Sequence, residues 1–280
     1  MRTVNPVSPR VLRHTPGTLD AINANPPHQF AMRHALVHYA SGAVFTFIPK
    51  NACTSLRVSL AMANGVIADT SDWTWVHQNN TTFSASLPDL AKATATAIVL
   101  RCPYRRLASV FLDKIVSRGN ELWTLHRKSR DVIDPDQLTF RDFVAWIRKP
   151  GFLRADIHWR PQSDYLVYET YDRVFGMEDL DDFAVFFTEA TGQRFIDSRP
   201  FSGHVTSCFE QLDTGGHADT PLATLTMEKS RGRLPRASDL FDDALISAVA
   251  KTYADDLKLY RSLLGRDGIL FPPDDEEDLQ

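Results

Sequence analysis

The sequence predicts an α/β fold of three layers, in which helices flank a mainly parallel central sheet. Short β-type runs alternate along the chain with longer stretches whose apolar residues recur every three or four positions. The 280 residues are 43% hydrophobic and 24% charged, which is close to the average of globular proteins. This composition excludes a disordered or fibrous chain and leaves enough apolar residues for a large core.

The first predicted unit is a hairpin, or a pair of neighbouring strands, that leads into a loop and a helix. Two short β-type runs, residues 35–39 and 44–48, are separated by a Ser-Gly pair. The second run continues into a polar loop at residues 49–55. Apolar residues then recur at helical spacing until Asn64 and Gly65 end the helix. The pattern therefore predicts a strand–loop–helix unit in this part of the chain.

A second strand followed by a helix is predicted further along the chain. Residues 97–100 form a buried-type β run that ends at Arg101, and Pro103 stands where a helix can begin. Thr139, with Asp142 three residues later, indicates the start of another helix through a variant of the capping box. Apolar stripes predict two more helices, over residues 180–190 and 241–264.

The ends of the chain differ in composition from its body. Residues 1–29 are rich in Pro and Asn and are expected to form an irregular arm, while residues 30–271 form the main domain. Residues 272–280 are expected to be a disordered tail, in which five acidic residues follow one another. Without those five, the chain has 30 acidic against 31 basic residues. Neither this balance nor the net charge of −4 indicates a nucleic-acid-binding protein.

The cysteines and the N-terminus bear on the compartment. Cys53, Cys102 and Cys208 are too few and too scattered for a disulfide framework or a CxxC metal site. The N-terminus lacks the apolar stretch of a secretory signal. The most apolar segment, residues 35–48, is too short and interrupted to span a bilayer. We therefore expect a cytoplasmic protein, and peripheral association with a membrane is left open.

Polar groups occur at both strand-to-helix junctions, where an open parallel sheet normally binds ligands. Lys50 precedes a helix whose N–H groups favour an anion, and Thr54 and Ser55 add hydroxyl groups. The loop follows the logic of a Walker A loop without its glycines. At the second junction, Arg101 and Ser109 suit a terminal phosphate because an Arg fork and a hydroxyl can both donate to it.

Four stretches together resemble the sulfotransferases. Residues 47–56 (FIPKNACTSL) are similar to their 5′-phosphosulfate loop, and residues 100–114 (LRCPYRRLASVFLDK) to their 3′-phosphate motif. Residues 158–162 (HWRPQ), with residues 171–180 after them, resemble a stretch of the chondroitin-type carbohydrate sulfotransferases, and residues 253–264 resemble the last helix of that family. The resemblance covers roughly residues 44–264 in the correct order.

The resemblance implies transfer of a sulfuryl group from 3′-phosphoadenosine 5′-phosphosulfate (PAPS) to a hydroxyl group, commonly that of a sugar. It implies that Lys50 neutralises the leaving group and that Arg101 and Ser109 hold the 3′-phosphate. Lys229 and Arg231 belong to a basic segment where sulfotransferases often close a loop over the nucleotide; a solvated basic loop without a ligand is the alternative interpretation. No metal is expected, because Lys50 takes that role. The resemblance also implies that the 5′ side is bound by the amides of Asn51, Ala52, Cys53, Thr54 and Ser55.

The general base and the acceptor are not settled by the sequence. His77, between the two phosphate motifs, is the first candidate and His158 is its competitor, while Asp69 and Asp72 are nearby carboxylates. The expected partner is a carbohydrate or another hydroxyl-bearing acceptor. The sequence identifies neither this acceptor nor the oligomeric state. A P-loop-type phosphotransferase and a non-catalytic nucleotide-binding relative of the fold remain as alternatives.

Overall fold

The computed structural model describes residues 10–15, 21–202, 209–212 and 215–272. Cys208 and the acidic residues 274–278 lie outside this part of the chain. The described strands are β1 (Ala35–Val37), β2 (Val44–Thr46), β3 (Thr96–Leu100), β4 (Arg173–Gly176), β5 (Glu210–Gln211) and β6 (Arg233–Leu234). The described α-helices are α1 (Pro26–Arg33), α2 (Cys53–Ala63), α3 (Trp75–Gln78), α4 (Leu87–Ala91), α5 (Pro103–Val110), α6 (Asn120–Lys128), α7 (Phe140–Ile147), α8 (Leu180–Thr191), α9 (Arg199–Ser202), α10 (Leu222–Ser230), α11 (Asp243–Thr252) and α12 (Ala254–Leu264).

The chain divides into two compact units, residues 1–100 with 162–202 and residues 101–161 with 203–280. The first contains a sheet of order β1-β2-β3-β4. β1 and β2 form the predicted antiparallel hairpin, and β2, β3 and β4 are parallel neighbours. Gly42 turns the hairpin with a φ angle of +74°, which glycine adopts without strain. The prediction of a mainly parallel sheet is confirmed.

Both faces of this sheet are buried. Phe45 packs on one face with Phe183 and Phe187 of α8, while Val37 and Val44 pack on the other face with Leu90 of α4 and with Tyr168. Parallel strands covered on two faces carry apolar residues at successive positions. This explains the successive apolar residues Val44 and Phe45 in β2 and residues 97–100 in β3.

The second unit is mainly helical and has an aromatic core. The ring of Phe111 lies 5.1 Å from that of Phe140 and 5.7 Å from that of Phe143, and Phe143 in turn contacts Trp159. The capping box predicted for α7 is present, with Thr139 and Asp142 bonded to each other's N–H groups. Among the described residues, no helix has the length and apolar character needed to cross a bilayer.

Two predictions at the ends of the chain need correction. The irregular structure expected over residues 1–29 does not hold at the end of that range, because α1 begins at Pro26; the Asn25 side chain accepts from the His28 N–H at 3.1 Å and caps this helix. The single helix expected over residues 241–264 is interrupted. Tyr253, with φ −115° and ψ 33°, separates α11 from α12.

Candidate active site

The loop between β2 and α2 has an unusual backbone. Lys50 and Ala52 have φ angles of +74° and +54°, in the left-handed region that residues other than glycine rarely adopt. Such residues cost about 1–3 kcal/mol each and persist only where the surrounding structure holds them. A left-handed residue beside an ordinary one directs successive N–H groups to one concave side, which suits an anion. The loop thus adopts, without glycine, a backbone conformation that glycines usually supply.

The first turn of α2 follows this loop directly. No described side chain caps it. The first main-chain bond of the helix runs from the Leu56 N–H to the Ala52 carbonyl at 3.1 Å, so the N–H groups of Cys53, Thr54 and Ser55 precede the bonds of the helix itself. These N–H groups and the positive end of an 11-residue helix suit a phosphate or sulfate group.

Asn51 fixes the loop to the end of β3. Its side chain is 3% exposed, and Nδ2 donates to the Val99 carbonyl at 3.0 Å and to Oε1 of Gln162 at 2.6 Å. The same residue also donates its main-chain N–H to the Ile48 carbonyl. The Asn51 side chain therefore has a positioning role that the sequence did not predict; the sequence predicted only its main-chain amide as a ligand.

The hydroxyl of Ser55 forms hydrogen bonds with another residue of the protein rather than facing the loop. Its Oγ lies 2.8 Å from Oγ of Ser198 and accepts the Ser198 N–H at 3.0 Å. One turn later, Oγ of Ser59 accepts the Ile196 N–H at 2.7 Å. These bonds hold α2 against residues 196–198. Ser55 is thus an anchor in this structure, and its main-chain N–H is the group directed toward the start of the helix.

Arg57 is a buried cation that was not predicted from the sequence. It lies on α2, is 6% exposed, and places its guanidinium 5.4 Å from the ring centre of Phe47. Burial lowers the pKa of Arg57, and its Nη2 is buried without a hydrogen-bond partner among the described residues. An arginine between the buried apolar residues Leu56 and Val58 was the available signal, because arginine is rarely buried without a specific reason.

His77 lies on the short helix α3 in the first unit. The residue is exposed, and its ring stands edge-on to Trp73 with 5.3 Å between ring centres. Of the nearby carboxylates, Asp69 is exposed, and its hydrogen bonds from the Ser71 hydroxyl and N–H lower its pKa. A carboxylate whose charged form is stabilised in this way is a weaker base than a histidine.

Arg101 and Ser109 lie in the second unit. Arg101 directly follows the last residue of β3 and is half-buried, while Ser109 is on α5 and 8% exposed. α5 begins with Pro103, as predicted, and then continues as a π-helical turn over Phe111–Ile115. Such turns occur frequently at functional sites. The turn falls within the predicted 3′-phosphate motif, two residues beyond Ser109.

His158, the second candidate base, stands among charged groups of the second unit. Its Nδ1 lies 2.8 Å from Oδ1 of Asp156 and 3.4 Å from Oε1 of Glu121. Lys114 is in turn 3.9 Å from Oε1 of Glu121 and 3.5 Å from Oδ2 of Asp113. The sequence named His158 but not these carboxylates.

Arg106 belongs to the predicted 3′-phosphate motif but is directed into the protein. It is 2% exposed, and its guanidinium donates to the main-chain carbonyls of Arg160 at 2.8 Å and Ile157 at 3.4 Å. The hydroxyl of Tyr253 donates to the carbonyl of Trp159 at 2.6 Å. These bonds connect the 3′-phosphate motif, the HWRPQ stretch and the segment that resembles the last family helix, all within the second unit. They fix the backbone on both sides of His158.

The predicted basic segment begins in the last turn of a helix and continues beyond it. Lys229 lies in the last turn of α10, and its Nζ donates to the Leu112 carbonyl and to Oγ of Ser117, both at 2.6 Å. Arg231 follows the helix and pairs with Glu228 at 3.2 Å. Both side chains have protein partners in this structure, so binding a nucleotide requires them to exchange or share those partners.

The predicted site residues divide between the two units. The first unit contains Lys50, Asn51, Ala52, Cys53, Thr54, Ser55 and His77. The second contains Arg101, Ser109, His158, Lys229 and Arg231. Their convergence on one ligand stays a prediction. Within the described ranges, no group of three or more His, Cys, Asp or Glu residues is arranged to hold a metal ion.

A parallel sheet with a lysine-bearing loop and an uncapped helix N-terminus after one of its strands is typical of proteins that bind phosphate groups. Comparison with family models identifies the class more closely: the model described as the sulfotransferase family matches residues 33–261. The chain therefore belongs to the sulfotransferase family and is an enzyme of sulfuryl transfer. A search of curated proteins gave no significant match, and a search of solved structures gave none either.

Proposed function

We propose that this sulfotransferase moves the sulfuryl group of PAPS to a hydroxyl of a carbohydrate or glycoconjugate. The observation that carries the proposal is the loop at Lys50–Ala52, whose left-handed residues precede an uncapped helix. A strained backbone that offers N–H groups beside a lysine suits the 5′-phosphosulfate of the donor. Family membership supports the same reading, because sulfotransferases in general use PAPS.

The chemistry requires positioning and charge stabilisation more than covalent participation. Sulfuryl transfer, like phosphoryl transfer, passes through a loose in-line transition state, so negative charge grows on the leaving phosphate oxygen. Lys50 is assigned to that oxygen. The N–H groups of Ala52, Cys53, Thr54 and Ser55 are assigned to the remaining oxygens of the 5′ side. The N–H of Asn51, predicted together with them, already donates to the Ile48 carbonyl, so we expect it to contribute less.

The 3′-phosphate is assigned to Arg101 and Ser109. A guanidinium presents parallel N–H donors and Ser109 adds a hydroxyl, a combination suited to a phosphate dianion. Lys229 and Arg231 are proposed as secondary contacts to the nucleotide. Since their side chains are already paired, we expect them to contribute less than Arg101.

A histidine is assigned to the acceptor hydroxyl as general base. His77 has an exposed ring in the first unit, and His158 has a ring held by carboxylates in the second. Imidazole suits the task because its ordinary pKa is near neutral pH. The two candidates are separated by comparing His77→Gln with His158→Gln.

The carbohydrate acceptor and the cytoplasmic location are also parts of the proposal. The acceptor class is supported by the HWRPQ stretch at residues 158–162, which resembles chondroitin-type sulfotransferases. The location is supported by Cys53 and Cys102, which are free thiols in the structure, as expected in a reducing compartment. The main domain, predicted over residues 30–271, is proposed to begin earlier, with α1 at Pro26.

The decisive experiment is transfer of labelled sulfate from PAPS to a panel of hydroxyl-bearing acceptors that includes glycosaminoglycans, simple sugars, phenols and alkyl alcohols. We expect Lys50→Ala and Arg101→Ala to lose transfer by about 100-fold or more, since each removes a charged contact. Lys92→Ala is the matched control, because Lys92 is an exposed lysine at the end of α4.

Normal transfer by Lys50→Ala or Arg101→Ala would contradict the site assignment. Transfer to phenols but not to sugars would contradict the acceptor class alone. Binding of adenosine 3′,5′-bisphosphate, seen as thermal stabilisation, without transfer to any acceptor would favour the non-catalytic alternative. A magnesium-dependent phosphate transfer would favour the phosphotransferase alternative.

A further inference from the structure

His158 is held on one side of its ring by two carboxylates. Oδ1 of Asp156 accepts from the His158 main-chain N–H at 2.8 Å and also lies 2.8 Å from Nδ1 of the ring. Oε1 of Glu121 lies 3.4 Å from the same Nδ1. The side chains of His158, Asp156 and Glu121 are 19%, 17% and 14% exposed. The ring is therefore fixed by one nitrogen, and it remains partly accessible.

This arrangement selects one tautomer of the imidazole. An ionised carboxylate can only accept a hydrogen bond, so Nδ1 carries the hydrogen and Nε2 keeps its lone pair. Nε2 of His158 has no hydrogen-bond partner among the described residues, because the contacts of His158 involve Nδ1 or the main chain. The nitrogen able to take a proton is thus the one left open.

A second His–Asp pair in the same unit shows what a purely structural pair looks like. Nε2 of His126 lies 3.2 Å from Oδ1 of Asp131, and Nδ1 lies 2.8 Å from the carbonyl oxygen of Ile133. Both nitrogens of that ring are occupied, and the Asp131 side chain is 73% exposed. The His158 pair differs in having one nitrogen occupied and a well-shielded carboxylate.

We propose that Asp156, supported by Glu121, is a positioning residue that orients His158 as the general base of sulfuryl transfer. The inference rests on the proposed function and chooses His158 over His77. Nε2 takes the proton of the acceptor hydroxyl while the hydroxyl oxygen forms its bond to sulfur. The bond from sulfur to the bridging phosphate oxygen breaks, and its electron pair leaves on the phosphate. The resulting imidazolium is stabilised by the two carboxylates.

The first test is the tautomer of His158, measured by proton–nitrogen NMR of histidine-labelled protein at slightly alkaline pH. The signals of His158 are assigned by their loss in His158→Gln. We expect the hydrogen on Nδ1 in the wild type and a shift of population toward Nε2–H in Asp156→Asn. A wild-type ring with its hydrogen on Nε2 overturns the proposal, whether or not an acceptor has been found.

The second test is kinetic and applies to the intact chain with its donor and acceptor. We expect Asp156→Asn to lower kcat by about 100-fold, in the range of general-base contributions, with the KM for PAPS unchanged within about twofold. Asn keeps an acceptor for the His158 N–H, so the local turn is preserved. Asp131→Asn, at the second His–Asp pair, is the matched control and should keep the wild-type kcat.

A double variant separates positioning from folding. If Asp156 acts through His158, then Asp156→Asn should have little effect when added to His158→Gln. The proposal is overturned if Asp156→Asn lowers kcat as much in the His158→Gln background as it does in the wild type. It is also overturned if Asp156→Asn alone has the wild-type kcat. If the wild type transfers no sulfate from PAPS, the result counts against the proposed function. The NMR measurement of the tautomer still tests the hydrogen bond between His158 and Asp156.

Discussion

Nδ2 of Asn51 lies 2.6 Å from Oε1 of Gln162, and the same nitrogen lies 3.0 Å from the carbonyl oxygen of Val99. Asn51 and Gln162 are 3% and 1% exposed. One carboxamide thus ties the loop after β2 to the end of β3 and to the last residue of the HWRPQ stretch. Buried hydrogen bonds of this kind hold neighbouring residues in conformations that they would not adopt alone. We attribute the left-handed geometry of Lys50 and Ala52 in part to this tie.

We expect Asn51→Ala to weaken binding of adenosine 3′,5′-bisphosphate by about 10-fold, which corresponds to about 1.4 kcal/mol, because the loop is no longer fixed. Asn51→Asp should be worse, since it places an acceptor opposite two carbonyl oxygens. Calorimetric titration measures both affinities. Asn64→Ala is the control: Asn64 also donates to a carbonyl, that of Val37, but lies at the other end of α2. Equal affinity of Asn51→Ala and wild type would show that the tie is not needed for binding.

Ala52 offers a direct test of the backbone geometry. A β-branched residue is strongly disfavoured at a φ angle of +54°, so we expect Ala52→Val to lower the free energy of unfolding by about 1–3 kcal/mol. Ala52→Gly should leave it nearly unchanged, because relief of strain offsets the greater freedom of the unfolded chain. Urea unfolding measures both variants. Ala63→Val, at the end of α2, should cost well under 1 kcal/mol; an equal cost at both positions would contradict the left-handed geometry.

The strand–loop–helix unit could be predicted because its signals are local. Apolar β runs, a Ser-Gly turn and helical spacing from Leu56 onward all lie within thirty residues, and the structure has β1, β2 and α2 there. The left-handed residues could not be predicted, since sequence rules expect glycine at positive φ. Lys50 and Ala52 adopt it because distant residues, among them Gln162, hold the loop.

The missed features likewise depend on contacts distant in sequence. Tyr253 continues the apolar spacing of its neighbours, so periodicity alone predicts one helix; its bond to the Trp159 carbonyl accompanies the break between α11 and α12. β4 was missed because Arg173 is exposed and the strand has no buried apolar run. Arg106 looks like a phosphate ligand in its motif, and only the fold shows that it binds the backbone near His158.

Stability is expected to decrease as the pH falls below about 6.5, the ordinary pKa of histidine. Burial lowers the pKa of His28 and of His38, which are 1% and 2% exposed. Burial, aided by the charge of Arg13, also lowers the pKa of His14. As the pH falls, the unfolded chain takes up protons at these residues before the folded chain does, so unfolding becomes more favourable.

The measurement is the urea midpoint at about pH 7.5 and about pH 5.5, and the midpoint should be lower at the acidic value. His28→Gln should reduce this difference, because it removes one titrating group. Leu56→Ala lowers stability by creating a cavity and carries no titrating group, so its midpoint should keep the wild-type pH difference. If His28→Gln retains the full difference, His28 does not contribute to the acid sensitivity.

The hydroxyl of Tyr253 gives the last prediction. It donates to the Trp159 carbonyl at 2.6 Å, and both side chains are buried. In Tyr253→Phe this carbonyl loses its partner, so we expect the free energy of unfolding to fall by about 1–3 kcal/mol. The protein should still fold, because Arg106 continues to hold the carbonyls of Ile157 and Arg160. Tyr39→Phe is the matched control: the Tyr39 hydroxyl also donates to a carbonyl, at 3.1 Å, but the side chain is 60% exposed and water can replace the bond. Urea unfolding of the two variants decides the matter, and equal losses would mean that burial does not set the strength of the Tyr253 contact.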